Sequence, residues 1–160
     1  MKNCLTGMMG IVLFLNLISC APIVRTDLKS LQENPEAYKG KSVILIADIK
    51  SVIEAPEAYR DKKIEMTGYI VLDGFRRGDD WSFVLNDGEG RGVRCYEREY
   101  RLRSWIMLEM ALRQANQRNE KITVVGKFER NGKIELDWIE YKDQHFDTDY
   151  KPPGIRLPFL

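Results

Sequence analysis

Between residues 63 and 141 apolar and polar positions alternate with a period of two, interrupted once by a charged stretch of helical character. Ile64, Met66, Gly68 and Ile70 mark a first strand that stops at Asp73-Gly74. Trp81, Phe83 and Leu85 mark a second, which ends in the turn signal Asn86-Asp87-Gly88. Val93 and Cys95 resume the alternation, so residues 81–96 read as a hairpin. Residues 98–118 predict a helix with Leu102, Trp105, Ile106, Met110 and Leu112 on its apolar side. Ile122, Val124 and Gly126, then the turn Asn131-Gly132, then Ile134, Leu136 and Trp138 predict a closing hairpin. The predicted order is strand, strand, strand, helix, strand, strand.

Upstream the pattern repeats itself. Residues 28–49 align without gaps on residues 49–70, with nine identities in twenty-two. Each copy carries Lys-Ser, then Pro-Glu-Ala-Tyr, then a basic residue and a strand-like run. Pro35 and Pro56 suit the first position of a helical turn, and Glu36 and Glu57 lie where a helix start favours negative charge. Asn34 is a candidate N-cap and Gly40 a candidate stop, with Ala55 and Asp61 as poorer equivalents. Tyr38 and Tyr59 are expected to fold back over the following strand. Two copies are too few for a solenoid and predict a duplicated helix-turn-strand entry.

The amino terminus has a different character, since residues 3–24 carry no charge and follow the single Lys2. Its apolar run, residues 11–18, is shorter than the roughly 20 residues of a comfortable membrane span and reads as a targeting segment. Leu17, Ile18, Ser19 and Cys20 resemble the lipobox of bacterial lipoproteins. That resemblance implies cleavage after residue 19, lipidation of Cys20 and attachment to a membrane through acyl chains. It places the chain in the bacterial cell envelope. In a Gram-negative cell, the absence of Asp after the cysteine points to the outer membrane, periplasmic side. Cys4 would leave with the signal, and Cys95 would be the one remaining thiol, with no intramolecular disulfide.

The order of elements, the glycine in the first strand, the helix between strands three and four and the terminal hairpin together resemble the OB-fold. The segments PEAYRDKKIEMTGYI, WSFVLNDGEGRGVRCY and KITVVGKFERNGKIELDWIEY are similar to strand cores of OB-type envelope lipoproteins and the related tRNA-anticodon-like families. The Pro-Glu-Ala-Tyr entry also resembles starvation-inducible outer-membrane lipoproteins, which the central helix fits less well. The expected fold is mainly β: an OB-fold-like five-stranded barrel with a long helix between strands 3 and 4, preceded by short helix-turn-strand elements. The expected organisation is a signal peptide over 1–19, a lipidated tether over 20–27, a repeat copy over 28–48, the barrel domain over 49–141 and a Pro-rich tail over 142–160.

Charge narrows the partner. The 25 basic and 24 acidic residues leave a net charge of +1, and the apolar fraction is 44%. This disfavours wholesale disorder and a nucleic-acid binder that works by bulk positive charge. By the OB resemblance, ligands are expected on strands two and three and in the loops joining strands one to two and four to five. Those regions offer Phe75, Arg76 and Arg77, then Arg91, Arg94 and Tyr96, then Arg130 and Lys133. Aromatic rings flanked by arginines could stack a base or a sugar, or clamp an acidic peptide or lipid headgroup. Nearby Asp73, Asp79, Asp80, Glu89, Glu97 and Glu99 favour a solvated surface as the bland alternative.

Catalytic chemistry is thinly represented. His145 is the only histidine, and Cys95 alternates with Val93 as a core position. His145, Asp147 and Asp149 have alternating spacing but lie in an acidic tail, and Gly88, Gly90 and Gly92 join two strands as a turn. No metal and no cofactor is expected, and the chain is read as a non-enzyme. The functional expectation is a lipid-anchored, noncatalytic binding module that recognises a protein, glycan or envelope component through barrel loops. The alternative is a structural lipoprotein, and single-stranded nucleic acid ranks last. The apolar residues of the tail YKPPGIRLPFL are expected to strap the barrel or to dock onto a partner.

Overall fold

The structure is a computed structural model and describes residues 21–72, 81–97 and 102–148. In chain order its elements are β1 (Ile23–Thr26), α1 (Leu28–Glu33), a 3-10 turn (Pro35–Tyr38), β2 (Ser42–Ile46), α2 (Ile49–Glu54) and α3 (Pro56–Tyr59). There follow β3 (Lys63–Val71), β4 (Trp81–Asn86), β5 (Gly92–Glu97), α4 (Leu102–Arg118), β6 (Lys121–Phe128), β7 (Lys133–Tyr141) and β8 (Gln144–Asp147).

Five strands close on themselves. β3 runs antiparallel to β4 and β6, β4 antiparallel to β5, β5 parallel to β7, and β7 antiparallel to β6. The chain is therefore mainly β with an OB-like barrel, in the order the alternation predicts. Closure brings backbones close at two glycines. A Cβ on Gly68 would lie 2.6 Å from the Asn86 carbonyl oxygen, and one on Gly126 would lie 2.2 Å from that of Glu135. Neither position accepts a side chain without moving a strand.

The barrel interior holds Ile64, Met66, Phe83, Leu85, Cys95, Ile122, Val124, Ile134 and Ile139, all buried. α4 joins this core through Leu108, Ala111, Leu112 and Ala115, spaced i, i+3, i+4, i+7. The predicted apolar side is thus rotated: Leu112 is buried, but Ile106 and Met110 are 57% and 61% exposed. Alanines form half of the buried stripe because the helix packs closely on the barrel, and ranking positions by size alone hides them.

The last barrel strand also departs from simple alternation. Val125 pairs with Trp138 and Gly126 with Leu136, so Asp137 is an extra residue in β7. This bulge shifts the phase. Ile134 and Leu136 point inward before it, Ile139 and Tyr141 after it, and Trp138 is turned to the outer face. β8 then pairs with β7 through the two-residue turn Lys142-Asp143, where Lys142 has φ +56°. Residues 144–147, expected to open the tail, instead extend the sheet. The segment lacks the Asn-Gly signature of a tight hairpin, so the sequence gives no turn signal there.

The duplicated entry forms two β-α-β coils. β1 pairs parallel with β2 as Ile23↔Ser42 to Thr26↔Leu45, and β2 with β3 as Leu45↔Ile64 and Ile46↔Glu65. Both registers step by 19 residues while the sequence repeats every 21. The difference is even, so equivalent residues face the same side of the sheet. β1, expected as tether, is the edge of one eight-stranded sheet. The caps differ from expectation as well. Asn34 makes no capping side-chain bond; Asp27 and Asp48 cap α1 and α2 by accepting from the amides of Ser30 and Ser51, each at 2.8 Å. Pro35 and Pro56 do start helical turns, and Gly40 and Asp61 both adopt positive φ, +73° and +58°.

Candidate functional site

Pleating fixes which side chains meet on the outside of the barrel. Cys95 points inward, so Arg94 and Tyr96 of β5 point outward, and the register sets Arg94 beside Val84 and Lys133, and Tyr96 beside Ser82 and Glu135. The Arg94 guanidinium donates to Ser82 Oγ at 3.0 Å. The Tyr96 hydroxyl donates to Glu129 Oε2, which also accepts from Asn131 Nδ2 at 3.1 Å. The β6–β7 turn is closed by Glu129 N–H donating to Lys133 O at 2.8 Å and by Lys133 N–H donating to Asn131 Oδ1 at 3.0 Å. Gly132, with φ +76°, completes it.

Arg130 leaves this turn towards the second coil. Its guanidinium lies 3.4 Å from Asp61, which also pairs with Lys127 at 3.4 Å. Desolvation works against ionisation of Asp61, but hydrogen bonds and charge from Lys127 and Arg130 outweigh it and hold the carboxyl below its ordinary range. Asp61, Glu129, Arg130 and Asn131 line a shallow open depression of about 250 Å³. The barrel side therefore offers one tyrosine ring, an arginine and a lysine next to a preformed turn rich in carboxylate and amide groups.

The predicted residues divide accordingly. Arg94, Tyr96 and Lys133 share one face, and Arg130 stands at its border. Arg91 is elsewhere: it clamps the β4–β5 turn at the opposite end of β5, with Nε 2.5 Å from Asp87 and a second contact to Glu89. Within this turn Asn86 and Asp87 accept the amides of Gly88 and Glu89 at 2.6 and 2.7 Å, and Gly88 and Gly90 have positive φ. That is turn chemistry, not a phosphate loop. Phe75, Arg76, Arg77 and Cys20 lie outside the described residues, as does the tail from residue 149.

Cys95 is fully buried, and burial pushes its thiol far above the usual range, so it is not poised as a nucleophile. His145 stands on the outer edge strand, exposed, 3.2 Å from Asp147 and 3.7 Å from Glu140. Cys95, inside the barrel, and His145, on its outer edge, therefore do not form a nucleophile–base pair. Among the described residues no three His, Cys, Asp or Glu side chains converge as a metal site.

A second outer surface was not legible in the alternation. Trp138, turned out by the bulge, packs against a tilted His145 ring with centroids 5.7 Å apart and receives the Lys63 ammonium 4.9 Å from its ring. Its indole N–H donates to Glu140 at 3.2 Å. Lys63 also lies 2.7 Å from Asp137 Oδ2, an ion pair not aligned as a hydrogen bond. Arg25 bridges Glu65 at 2.7 Å and Glu140 at 3.8 Å, tying the edge strand to this patch. The ring and charges here satisfy one another, which makes the patch a latch for β1 and β8.

Comparison with protein-family models and with curated proteins finds no match to this chain.

Proposed function

We propose that the chain is a noncatalytic binding module of the bacterial cell envelope, anchored by lipid on Cys20, that recognises a protein or glycan through the side of its barrel. The observation that carries this reading is the convergence of Arg94, Tyr96 and Lys133 on one outer face beside the closed Glu129–Lys133 turn. A ring offered with a guanidinium, carboxylates and amides suits a polar ligand that stacks and hydrogen-bonds. Mixed charge on the same face, with Glu129 and Glu135 beside Arg94 and Lys133, weighs against a polyanion.

The test is crosslinking in intact cells followed by pull-down, comparing the parent with Tyr96→Ala, Arg94→Glu and the loop reversal Arg76→Glu with Arg77→Glu. Loss of a charge-assisted contact at about 1.5–3 kcal/mol predicts about tenfold or greater loss of the captured partner. Capture unchanged by all three variants removes the basis of the reading. Palmitate labelling of Cys20→Ala tests the anchor separately, with loss of incorporation expected. The structural alternative draws on a different observation, the exposed Ile106, Met107 and Met110 of α4.

A further inference from the structure

α4 carries two apolar stripes and the barrel uses one. Leu108, Ala111, Leu112 and Ala115 seal the core, while Ile106, Met107 and Met110 stand 57%, 58% and 61% exposed on another side. Beside them, between α4 and the start of β8, lies an open groove of about 420 Å³. Met107 and Met110 form its apolar wall, and Gln114, Gln117 and Gln144 form its rim. Among the described residues lining it, the charged side chain is Arg113, which is paired with Glu109 at 2.7 Å. Such a groove accepts a segment rich in apolar side chains, and methionines adapt to an irregular one.

The chain itself supplies such a segment. Residues 149–160 hold Ile155, Leu157, Phe159 and Leu160 among three prolines. They follow directly on Thr148, which is fixed to β7 by its amide donating to Asp137 O at 2.9 Å and its hydroxyl to Leu136 O at 2.6 Å. Thr148 is four residues beyond Gln144 in the groove rim, about 13 Å of strand. Twelve extended residues reach about 40 Å, and α4 from Ile106 to Gln117 measures about 17 Å. We propose that residues 149–160 dock in this groove and cover the methionine stripe of α4. Tethering decides the occupant: a segment held within reach meets the groove at an effective concentration in the millimolar range, well above that of a second copy. Prolines reduce the conformational freedom lost on docking. The inference is independent of the barrel-side reading.

The test places the photoreactive benzoylphenylalanine at Phe159 of the full chain and irradiates dilute protein. The expected product has the mass of one chain and carries the adduct on Met107 or Met110. That adduct should be lost on Met107→Glu with Met110→Glu, which changes only exposed positions. As a second measurement, Leu157→Asp with Phe159→Asp should speed peroxide oxidation of Met107 and Met110 several-fold and leave buried Met66 unchanged. Adducts on another face of the barrel, a product of twice the mass, absence of any adduct on α4, or unchanged oxidation would each overturn the proposal.

Discussion

The two coils that precede the barrel follow one local code but end in different surroundings. Asp27 and Asp48 accept from Ser30 and Ser51 with the same amide and hydroxyl distances, 2.8 and 2.7 Å. Lys29 faces Glu33 at 3.8 Å, and Lys50 faces Glu54 at 3.9 Å. Asn34 and Ala55 share a backbone conformation near φ −140°, ψ 65° and φ −134°, ψ 58°. Burial separates them. α1 and the 3-10 turn have no buried residue, whereas Ile49, Val52 and Tyr59 of the second coil are buried. Leu28 and Leu31, the equivalents of Ile49 and Val52, only lean on the core. Capping and turn geometry are thus set within 21 residues, and burial is set by what lies next door: barrel for the second coil, solvent edge for the first.

The sharpest way to break this contrast is to truncate equivalent side chains. Ile49→Ala should destabilise the protein by about 2–5 kcal/mol, because a core site keeps a cavity. Leu28→Ala, at a half-covered site, should cost about 1 kcal/mol. Urea denaturation measures both, and equal midpoint shifts would show the first coil to be as deeply part of the core as the second.

Backbone strain gives an intermediate effect of opposite sign in the two coils. Gly40 has φ +73° with open space where a Cβ would go, so Gly40→Ala should cost about 1 kcal/mol through conformation alone. Asp61 already carries a side chain at φ +58°, so Asp61→Gly relieves strain. It also removes only solvent-exposed pairs to Lys127 and Arg130, which are worth little. Thermal melts should move down for the first variant and up for the second. Matching signs would mean that the Asp61 pairs outweigh its backbone.

What the sequence shows and conceals follows the same division between local and distant causes. The barrel order was legible because alternation and turn residues are local signals, and Ile64, Phe83, Ile122 and Ile134 fall inside as that reading requires. The bulge at Asp137 was not, because it is set by the fit of β7 against β6 around Gly126. Unbroken alternation with Ile134 and Leu136 would turn Trp138 inward, and the bulge turns it out. For the site, Arg94, Tyr96 and Lys133 do meet, since strand period and register bring them together. Arg91 has the same residue type and a similar position but is consumed by its own turn through Asp87 and Glu89. Composition marks Arg91 and Arg94 alike as arginines; the fold decides which groups each one meets.

The smallest effect is electrostatic and separates the coils most finely. Hydrogen bonds from Ser51, side chain first and then amide, lower the Asp48 carboxyl below its ordinary value, and those from Ser30, amide first and then side chain, do the same for Asp27. Unfolded, both titrate near 3.9. Their folded values lie lower, so their contribution to stability is complete above about pH 4 and is lost as pH falls through the folded values. Asp48→Asn keeps an acceptor at the cap but removes the charge, so it should cost about 0.5 kcal/mol at neutral pH. It should also flatten the fall of the urea midpoint below about pH 4. Asp27→Asn acts on a helix with no buried residue, so its effect should appear as faster amide exchange at Ser30 and Leu31 while the global midpoint stays in place. If Asp27→Asn moves that midpoint as far as Asp48→Asn does, the first coil unfolds only with the barrel, and equal cooperativity must then be assigned to unequal burial.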